Sequence, residues 1–319
     1  MKKRFYLLLP LLLPILLLFS CDKVKNPYVK TNSSAAGCPN PFFPSKTPIQ
    51  KVLVEDYTGH RCVNCHSAAV TLEQIYAIYP QQVIGMAVHA NFWAEPSPCM
   101  GPPSGVPSYA FYHYLGCPAA ENYFSPQGFN FSGNPNGMVN RTRVSGDPVI
   151  GQGTWKSVVD TLVTKTPIAD INIFTNYDNS TRKLCVSCKT TFLKSMTGTY
   201  NLSVLFIEDS IIDWQAFSGH NDSNYVFRNV LRDDINGSGT GFGEQIKTGT
   251  ISTNDTIVKS YSYQVPTSYA FTSALCTAKP LAGSPCDYRH CYVLAFVFNG
   301  DPSSPTYREI IQVEEKKIQ

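Results

Sequence analysis

The sequence lacks an excess of charge of either sign. Only 15% of its 319 residues are charged, and 26 Lys and Arg stand against 23 Asp and Glu. Lys2, Lys3 and Arg4 belong to a short leader, and without them each sign is represented by 23 residues. A chain of zero net charge has no electrostatic means of attracting nucleic acid or anionic lipid headgroups. We therefore predict that nucleic acid is not a partner.

A hydrophobic run long enough to cross a membrane is also absent. Residues 5–20 are apolar, but Pro10 and Pro14 interrupt them, and a spanning helix needs about 20 residues. A basic start followed by a short apolar stretch is typical of a secretory signal peptide. We predict that residues 1–20 are such a signal and are removed on export.

The predicted signal ends in Leu-Phe-Ser-Cys at residues 18–21. A small residue directly before a cysteine resembles the lipobox of bacterial lipoproteins, which implies that Cys21 carries lipid in the mature protein. Each buried acyl methylene contributes about 0.8 kcal/mol, so several chains would anchor the protein stably in a bilayer. The alternative is an ordinary signal with an incidental cysteine. Residues 21–48, which have no apolar period, are predicted to be a tether.

Cysteine is abundant: the chain has 11, of which 10 remain if Cys21 is lipidated. An even, high count in an exported protein indicates disulfides and an oxidising compartment. Cys185 and Cys188 form a C-x-x-C on a predicted strand, where residues i and i+3 point to opposite faces, so other partners are favoured. The connectivity stays open for six cysteines: Cys38, Cys185, Cys188, Cys276, Cys286 and Cys291.

Residues 51–88 have the pattern of a β-α-β unit. Residues 51–54 open a strand, apolar residues recur at helical spacing from Ala68 to Tyr79, and the helix stops at Pro80. Residues 82–88 are predicted to form a second strand, which is buried. The two strands are expected to be parallel neighbours, because a crossover helix joins them. This unit opens a predicted α/β domain over residues 49–145.

Within that domain, residues 91–134 are dense in Pro, Gly and aromatic residues and have weak periodicity. We predict that they form an insertion pinned by a Cys99–Cys117 disulfide. A tight turn containing Pro135 and a short strand follow.

Residues 146–319 have a different sequence pattern. A short helix is predicted near residues 155–163. Alternating polar and apolar residues, separated by loops rich in Gly, Asn and Ser, then predict strands at residues 169–175, 183–193, 200–208, 256–265, 290–299 and 308–314. This spacing predicts an all-β, immunoglobulin-like sandwich as the second domain.

The run Cys62-Val63-Asn64-Cys65-His66 carries the clearest chemical signal. C-x-x-C beside a β-α-β pattern is typical of a thioredoxin-type redox pair. At the start of the predicted helix, unpaired amides and the helix dipole would favour a thiolate. Cys62, the outer cysteine, would attack a substrate disulfide, and Cys65 would resolve the mixed disulfide.

Two further residues agree with a resemblance to the thioredoxin family. That family places a buried, proton-accepting Asp at the position of Asp56, which implies that Asp56 deprotonates Cys65. The alternative is a turn carboxylate without a catalytic role. The family also places a cis-proline opposite the cysteines, and Pro135 fits this role better than Pro107, which lies inside the insertion.

Two other interpretations of the motif stay open. C-x-x-C-H is also the attachment motif of c-type haem, with His66 as an axial ligand. A helix packed on a β-α-β sheet leaves little room for a macrocycle over its first turn, so we predict no cofactor. The two C-x-x-C pairs belong to different predicted domains and are not expected to share a zinc ion, so we predict no metal. In the third interpretation Cys62–Cys65 is a permanent disulfide on a thioredoxin-shaped binding domain.

Longer phrases resemble the outer-membrane-protein-twenty-eight-related family of Gram-negative surface lipoproteins: VLVEDYTGHRCVNC, GNPNGMVNR, YNLSVLFIEDSIIDWQ, NYVFRNVLRDDING and REIIQVEEKKI. The resemblance covers nearly all of the mature chain. It implies a thioredoxin-like domain followed by a β-sandwich, an outer-membrane location, and Cys62, Cys65 and Pro135 as the paired cysteines and the turn proline. His66 departs from this pattern, because a proline is expected after the second cysteine.

These observations together predict a lipid-anchored outer-membrane lipoprotein that exchanges thiols and disulfides with exported, cysteine-containing proteins. The alternative is a non-enzymatic surface binding or adhesion lipoprotein on the same scaffold. Its contact surface would be the sandwich or the insertion.

Overall fold

The computed structural model describes residue 35, residues 37–269 and residues 283–318. The predicted signal peptide and Cys21 lie outside the described residues, and so does Cys276. Within the described ranges, no helix is both long and apolar enough to cross a membrane.

The fold is mostly β-sheet with few helices. Its strands are β1 (Val52–Thr58), β2 (Val83–His89), β3 (Asn136–Val139), β4 (Ala169–Asp178), β5 (Lys183–Phe192), β6 (Met196–Glu208), β7 (Ile211–Phe217), β8 (His220–Phe227), β9 (Val230–Asp234), β10 (Glu244–Ile251), β11 (Thr256–Gln264), β12 (Ser268–Tyr269), β13 (Ser284–Pro285), β14 (Cys291–Asn299) and β15 (Ile310–Lys317). Its helices are α1 (Cys65–Ile78), α2 (Ser97–Met100), α3 (Pro118–Phe124) and α4 (Gln152–Leu162).

The predicted β-α-β unit is confirmed. Strands β1 and β2 are parallel neighbours, with Val52 paired to Val83, and α1 connects them. Every residue of β1 is buried, including the polar residues Glu55, Asp56 and Thr58. Helix α1 buries one face, formed by Cys65, Ala68, Leu72 and Ile75, and it ends two residues before Pro80.

Strands on both sides of residue 146 belong to one eight-stranded sheet. Its order is β15-β14-β6-β9-β2-β1-β3, with β10 paired to β6. Strand β9 makes the junction, because it pairs with β2 on one side and with β6 on the other. Helix α4 packs Trp155 and Val159 into the same apolar cluster as β1 and α1. The division into two domains at residue 146 stays a prediction, but the sheet continues across it.

A second, three-stranded sheet of order β11-β5-β4 covers part of the large one. Side chains of β4 and β5 share an apolar core with those of β6 and β14, for example Ile171 and Val186 with Phe206 and Val293. The six strands predicted beyond residue 146 are all present as β4, β5, β6, β11, β14 and β15. Strands β7 to β10, between residues 211 and 251, were not predicted.

The cysteine pairing corrects one prediction. Cys99 is disulfide-bonded, but Cys117 is a buried free thiol, so the Cys99–Cys117 prediction is wrong. The reason is that the two residues lie in different apolar clusters: Cys117 faces the main core beside α3, whereas Cys99 packs near Tyr114. Burial raises the pKa of the Cys117 thiol to about 12.

Part of the predicted tether is fixed to the folded body. Residues 38–51 have no regular secondary structure, but Cys38 is disulfide-bonded to Cys185 on β5. Lys46 also forms an ion pair with Asp170 of β4 at 3.4 Å. This disulfide settles the pairing of two of the cysteines that the sequence left open.

Candidate redox site

Cys62 and Cys65 are joined by a disulfide at the beginning of α1, with Cα atoms 5.4 Å apart. Cys65 is the first residue of the helix, and its amide donates a hydrogen bond to the Cys62 carbonyl at 3.2 Å. The loop that carries Cys62 leaves the carboxyl end of β1. The two sulfurs therefore lie on the opening turn of a helix that follows a central strand.

The helix start leaves its partial positive charge available to a thiolate. The residue before the helix, Asn64, makes no side-chain capping hydrogen bond, and the first turn has no acidic residue. The first amides of a helix have no intrahelical acceptor, and together with the dipole they stabilise an anion. A Cys62 or Cys65 thiolate formed here would therefore be favoured by its position.

Asp56 lies on β1, beneath this helix start. The residue is only 3% exposed, its Oδ1 atom has no hydrogen-bond partner among the described residues, and it lines the same cavity as Cys65. Burial raises the pKa of its carboxyl group from 3.8 to about 7. A group that titrates near neutral pH can both accept and return a proton, which is the requirement for the predicted role.

Pro135 lies in the turn that leads into β3. The Asn134–Pro135 peptide bond is cis, and the Asn134 side chain donates a hydrogen bond to the Thr58 carbonyl at 2.9 Å. Strand β3 then pairs with β1 in antiparallel fashion, Asn136 opposite Tyr57. The turn is thus held at the end of β1 from which the Cys62 loop departs. Pro107, the other candidate, is exposed and lies well before β3 in the sequence, inside the insertion.

The hairpin of β7 and β8 covers the disulfide, a feature that the sequence did not predict. Gln215 donates a hydrogen bond to the Cys62 carbonyl at 3.0 Å, and the Ala216 amide donates one to the His60 carbonyl at 2.8 Å. As a result Cys62 is only 4% exposed and Cys65 only 1%. The disulfide is not accessible to a large partner while the hairpin is in this position.

His66 is held between aromatic rings of the same hairpin. Its ring centroid lies 5.0 Å from that of Phe217 and 5.7 Å from that of Tyr225, and its Nδ1 atom is 3.5 Å from the Tyr225 hydroxyl. The sulfurs of Cys62 and Cys65 are bonded to each other, so neither is free for the thioether that c-type haem attachment requires. In this arrangement His66 helps to seat the hairpin on α1.

Two further histidines lie near the site without exposure to solvent. Burial lowers the pKa of His60 to about 4 and that of His89 well below its usual value, so both rings are neutral at neutral pH. In the part of the chain that the structure describes, neither ring nitrogen of His89 has a hydrogen-bond partner, and His89 lines the cavity beside Cys65. In the sequence, His89 is a single histidine at the end of an apolar strand, and no motif there indicates that it lies beside Cys65.

The cavity itself has a volume of about 360 Å³. It lies between α1, the ends of β1 and β2, and the β7–β8 hairpin. Its walls combine apolar side chains, among them Leu72, Met86 and Phe227, with polar ones: Asp56, Thr58, His66, Glu73, His89, Asp209, Gln215, Arg228 and Asn229. A cavity with apolar walls and convergent polar groups, some of shifted pKa, is a usual setting of a functional site.

The fold resembles that of one solved structure whose sequence is only distantly similar. HBP35 of Porphyromonas gingivalis matches with a TM-score of 0.60 at 15% sequence identity, over 86% of this chain and 77% of its own. Protein AGR_C_4864 from Agrobacterium tumefaciens matches with a TM-score of 0.42 at 12% identity, over 86% of this chain and 97% of its own. No family model and no curated protein matches the chain. The likeness to HBP35 therefore shows a shared fold alone.

Proposed function

We propose that the Cys62–Cys65 pair performs thiol–disulfide exchange on exported, cysteine-containing proteins, from a thioredoxin-like unit backed by an immunoglobulin-like sandwich. One observation carries the proposal: the disulfide on the first turn of α1 shares a cavity with Asp56, a buried carboxyl group whose pKa is raised to about 7. A structural disulfide needs no buried carboxyl group of this kind. A buried carboxyl group without a hydrogen-bond partner lowers the stability of the fold, and a catalytic role would explain why it is present.

The exchange follows from the roles of three residues. In the reduced protein the Cys62 thiolate attacks a substrate disulfide, forms a mixed disulfide and releases one substrate thiolate, which takes up a proton. Asp56 then accepts the proton of Cys65. The Cys65 thiolate attacks the Cys62 sulfur and releases the second substrate sulfur as a thiolate, which takes the proton held by Asp56. Substrate gains two electrons and two protons, and the protein ends as the disulfide seen here.

Access requires that the β7–β8 hairpin moves. The sulfurs are buried beneath it, and near Cys62 it is held by the Gln215 and Ala216 hydrogen bonds and by the rings around His66. An ion pair of Asp213 with His113 at 2.8 Å and the apolar packing of Ile211 and Phe227 hold the rest of the hairpin. A two-stranded hairpin outside the main sheet is a unit that can open without unfolding the core. Opening would expose Cys62 first, because Cys62 lies in the loop and Cys65 in the helix.

We also propose that the protein works in the cell envelope, anchored in the outer membrane by lipid on Cys21. The support is the leader, the lipobox resemblance and the family resemblance of the sequence. The disulfides Cys38–Cys185 and Cys62–Cys65 agree with an oxidising compartment. Labelling with radioactive palmitate, lost in Cys21→Ala, tests the anchor. Labelling that persists in the variant would refute it.

The burial of the disulfide favours a second candidate function. If the hairpin stays closed, Cys62–Cys65 is a permanent staple, and the protein is a binding or adhesion lipoprotein that uses the same scaffold. The reduction potential of the pair separates the two functions, because structural disulfides typically lie below about −300 mV.

The test is insulin reduction with dithiothreitol, together with equilibration of the pair against glutathione. We expect turnover by the wild type, loss in Cys62→Ser, and a trapped mixed disulfide in Cys65→Ser. Cys117→Ser is the matched control, since it removes a buried thiol outside the site. Equal inactivity of the wild type and Cys62→Ser, with a potential in the structural range, would reject the exchange function.

A further inference from the structure

A second group of cysteines lies where β6 ends and β14 begins. Glu208 is the last residue of β6, Cys291 is the first residue of β14, and Cys286 lies five residues earlier. All three are buried, and one potential ligand atom from each lies within 4.8 Å of the others. The two Sγ atoms are 3.8 Å apart. Neither cysteine is used by the exchange site.

We propose that Glu208, Cys286 and Cys291 bind a thiophilic divalent cation, with zinc as its representative, as three of its four ligands. Thiolate and carboxylate are ordinary zinc ligands, and the C-x₄-C spacing is within the range of zinc sites. Two sulfurs bound to one tetrahedral zinc at about 2.3 Å are about 3.8 Å apart. The observed separation matches this value, whereas the Cys38–Cys185 and Cys62–Cys65 pairs are directly bonded.

The two oxygens of the Glu208 carboxylate differ in their partners. The Asp287 amide donates a hydrogen bond to Oε1 at 2.7 Å, whereas Oε2 is buried, makes no hydrogen bond within the described residues, and has only the longer ion pair with Arg232 Nε at 3.4 Å. A buried carboxylate oxygen without a hydrogen bond needs an explanation, which this ion pair supplies only in part. A cation between Oε2 and the two sulfurs supplies the rest. The amide bond to Oε1 would orient the carboxylate, as outer contacts of metal ligands commonly do.

Charge balance permits this binding. Arg232 is buried, and its Nε atom lies 3.4 Å from Glu208 Oε2. The metal-free cluster of one carboxylate, one guanidinium and two neutral thiols has no net charge. A divalent cation replaces the two thiol protons, so the cluster remains neutral. This matters because a net charge in the interior is costly.

The first test uses full-length protein purified without chelator or reductant. Elemental analysis measures zinc per chain, and alkylation followed by trypsin digestion locates the thiols. Trypsin cuts after Arg289, between Cys286 and Cys291, so a disulfide would leave two peptides joined. We expect about one zinc per chain, with both cysteines alkylated only after chelation and recovered on separate peptides. The first of these peptides also contains Cys276, because trypsin does not cut between Lys279 and Pro280. Fragment ions that place a bond between Cys286 and Cys291 would overturn the proposal in favour of a disulfide.

The second test uses variants and added zinc alone. In Glu208→Gln, which keeps the shape and the bond to the Asp287 amide, zinc affinity measured against a chromophoric chelator should fall about tenfold or more. Cys188→Ser should bind like the wild type, because Cys188 is a buried free thiol of the same core outside the cluster. Wild-type affinity in Glu208→Gln would overturn the proposal.

A third measurement needs no variant. Cobalt added to the metal-free wild type should produce the near-ultraviolet charge-transfer band of a cobalt–thiolate bond, and zinc should remove it. A wild type that shows no such band would overturn the proposal even if the cysteine variants fail to fold.

Discussion

Gln215, on the β7–β8 hairpin, donates a hydrogen bond from its side chain to the carbonyl oxygen of Cys62 at 3.0 Å. The side chain is buried and also donates to the Ala216 carbonyl at 2.9 Å. Through this residue the hairpin is attached to the loop that carries the outer sulfur. The state of the hairpin therefore governs whether the disulfide can be reached.

Gln215→Ala should make the disulfide easier to reach. The variant removes the side-chain link to Cys62, and a hydrogen bond of this kind contributes about 1 kcal/mol, which corresponds to about a fivefold larger open population. We expect the rate of reduction of Cys62–Cys65 by dithiothreitol to rise about fivefold. The rate is measured by stopping the reduction at timed intervals with an alkylating reagent. Ser223→Ala is the control, because Ser223 is exposed on the same hairpin. An unchanged rate in Gln215→Ala would mean that the hairpin does not limit access.

Asp56 should make the oxidised protein less stable as the pH rises. Its pKa is raised in the folded state from 3.8 to about 7, so between these values the folded protein holds a proton that the unfolded chain has released. Stability from this group is complete below about pH 4 and is lost as the pH approaches 7. A shift of about three pKa units corresponds to a loss on the order of 4 kcal/mol.

The measurement is denaturant unfolding of wild type and Asp56→Asn at pH 4, 6 and 8. The two proteins should be similar at pH 4, and the variant should be the more stable at pH 8, because its amide cannot ionise. Glu73→Gln changes an exposed carboxylate at the rim of the same cavity and should follow the wild type. Parallel profiles of wild type and Asp56→Asn would contradict the raised pKa.

Arg141 and Glu55 form a buried ion pair within the core of the large sheet. Two guanidinium nitrogens donate to the two carboxylate oxygens at 2.9 and 2.8 Å, and neither side chain is exposed. The guanidinium also lies 4.8 Å from the ring centroids of Tyr123, Phe129 and Phe296. Replacing one partner leaves the other charge buried without compensation.

We therefore expect Arg141→Met to lower the free energy of unfolding by about 3–5 kcal/mol. The double variant Arg141→Met with Glu55→Leu should be less destabilised than Arg141→Met alone, because it buries no unpaired charge. Urea denaturation of the wild type and of these variants measures both effects. Additive losses in the double variant would show that the pair is not coupled.

The sequence predicted the parts of the site that depend on local patterns. The spacing from Ala68 to Tyr79 gave α1, and the position of Cys62 and Cys65 followed from where that helix begins. The placement of Asp56 and Pro135 came from resemblance to a known family. The structure puts Asp56 in the Cys65 cavity and Pro135 at the end of β1.

The parts that were missed depend on contacts between distant segments. Strand β8 is mostly exposed or half-buried, so its sequence lacks the alternation of polar and apolar residues that predicts a strand. It is a strand because it pairs with β7, in the hairpin that covers the Cys62–Cys65 disulfide. The ion pair of Arg141 joins residues 86 positions apart. The error at Cys99 and Cys117 has the same origin: closeness in sequence was taken for closeness in space.

The two disulfides should differ in what their removal changes. Cys38–Cys185 spans 147 residues, so loop entropy predicts a contribution of about 5 kcal/mol, whereas Cys62–Cys65 spans only three and predicts about 2 kcal/mol. Cys38→Ala with Cys185→Ala should therefore lower the thermal midpoint strongly and leave insulin reduction intact at low temperature. Cys62→Ala with Cys65→Ala should abolish insulin reduction with a smaller change in midpoint. The reverse pattern, a large loss of stability without Cys62–Cys65, would assign this pair a structural role, because a redox pair must alternate between bonded and free without unfolding the chain.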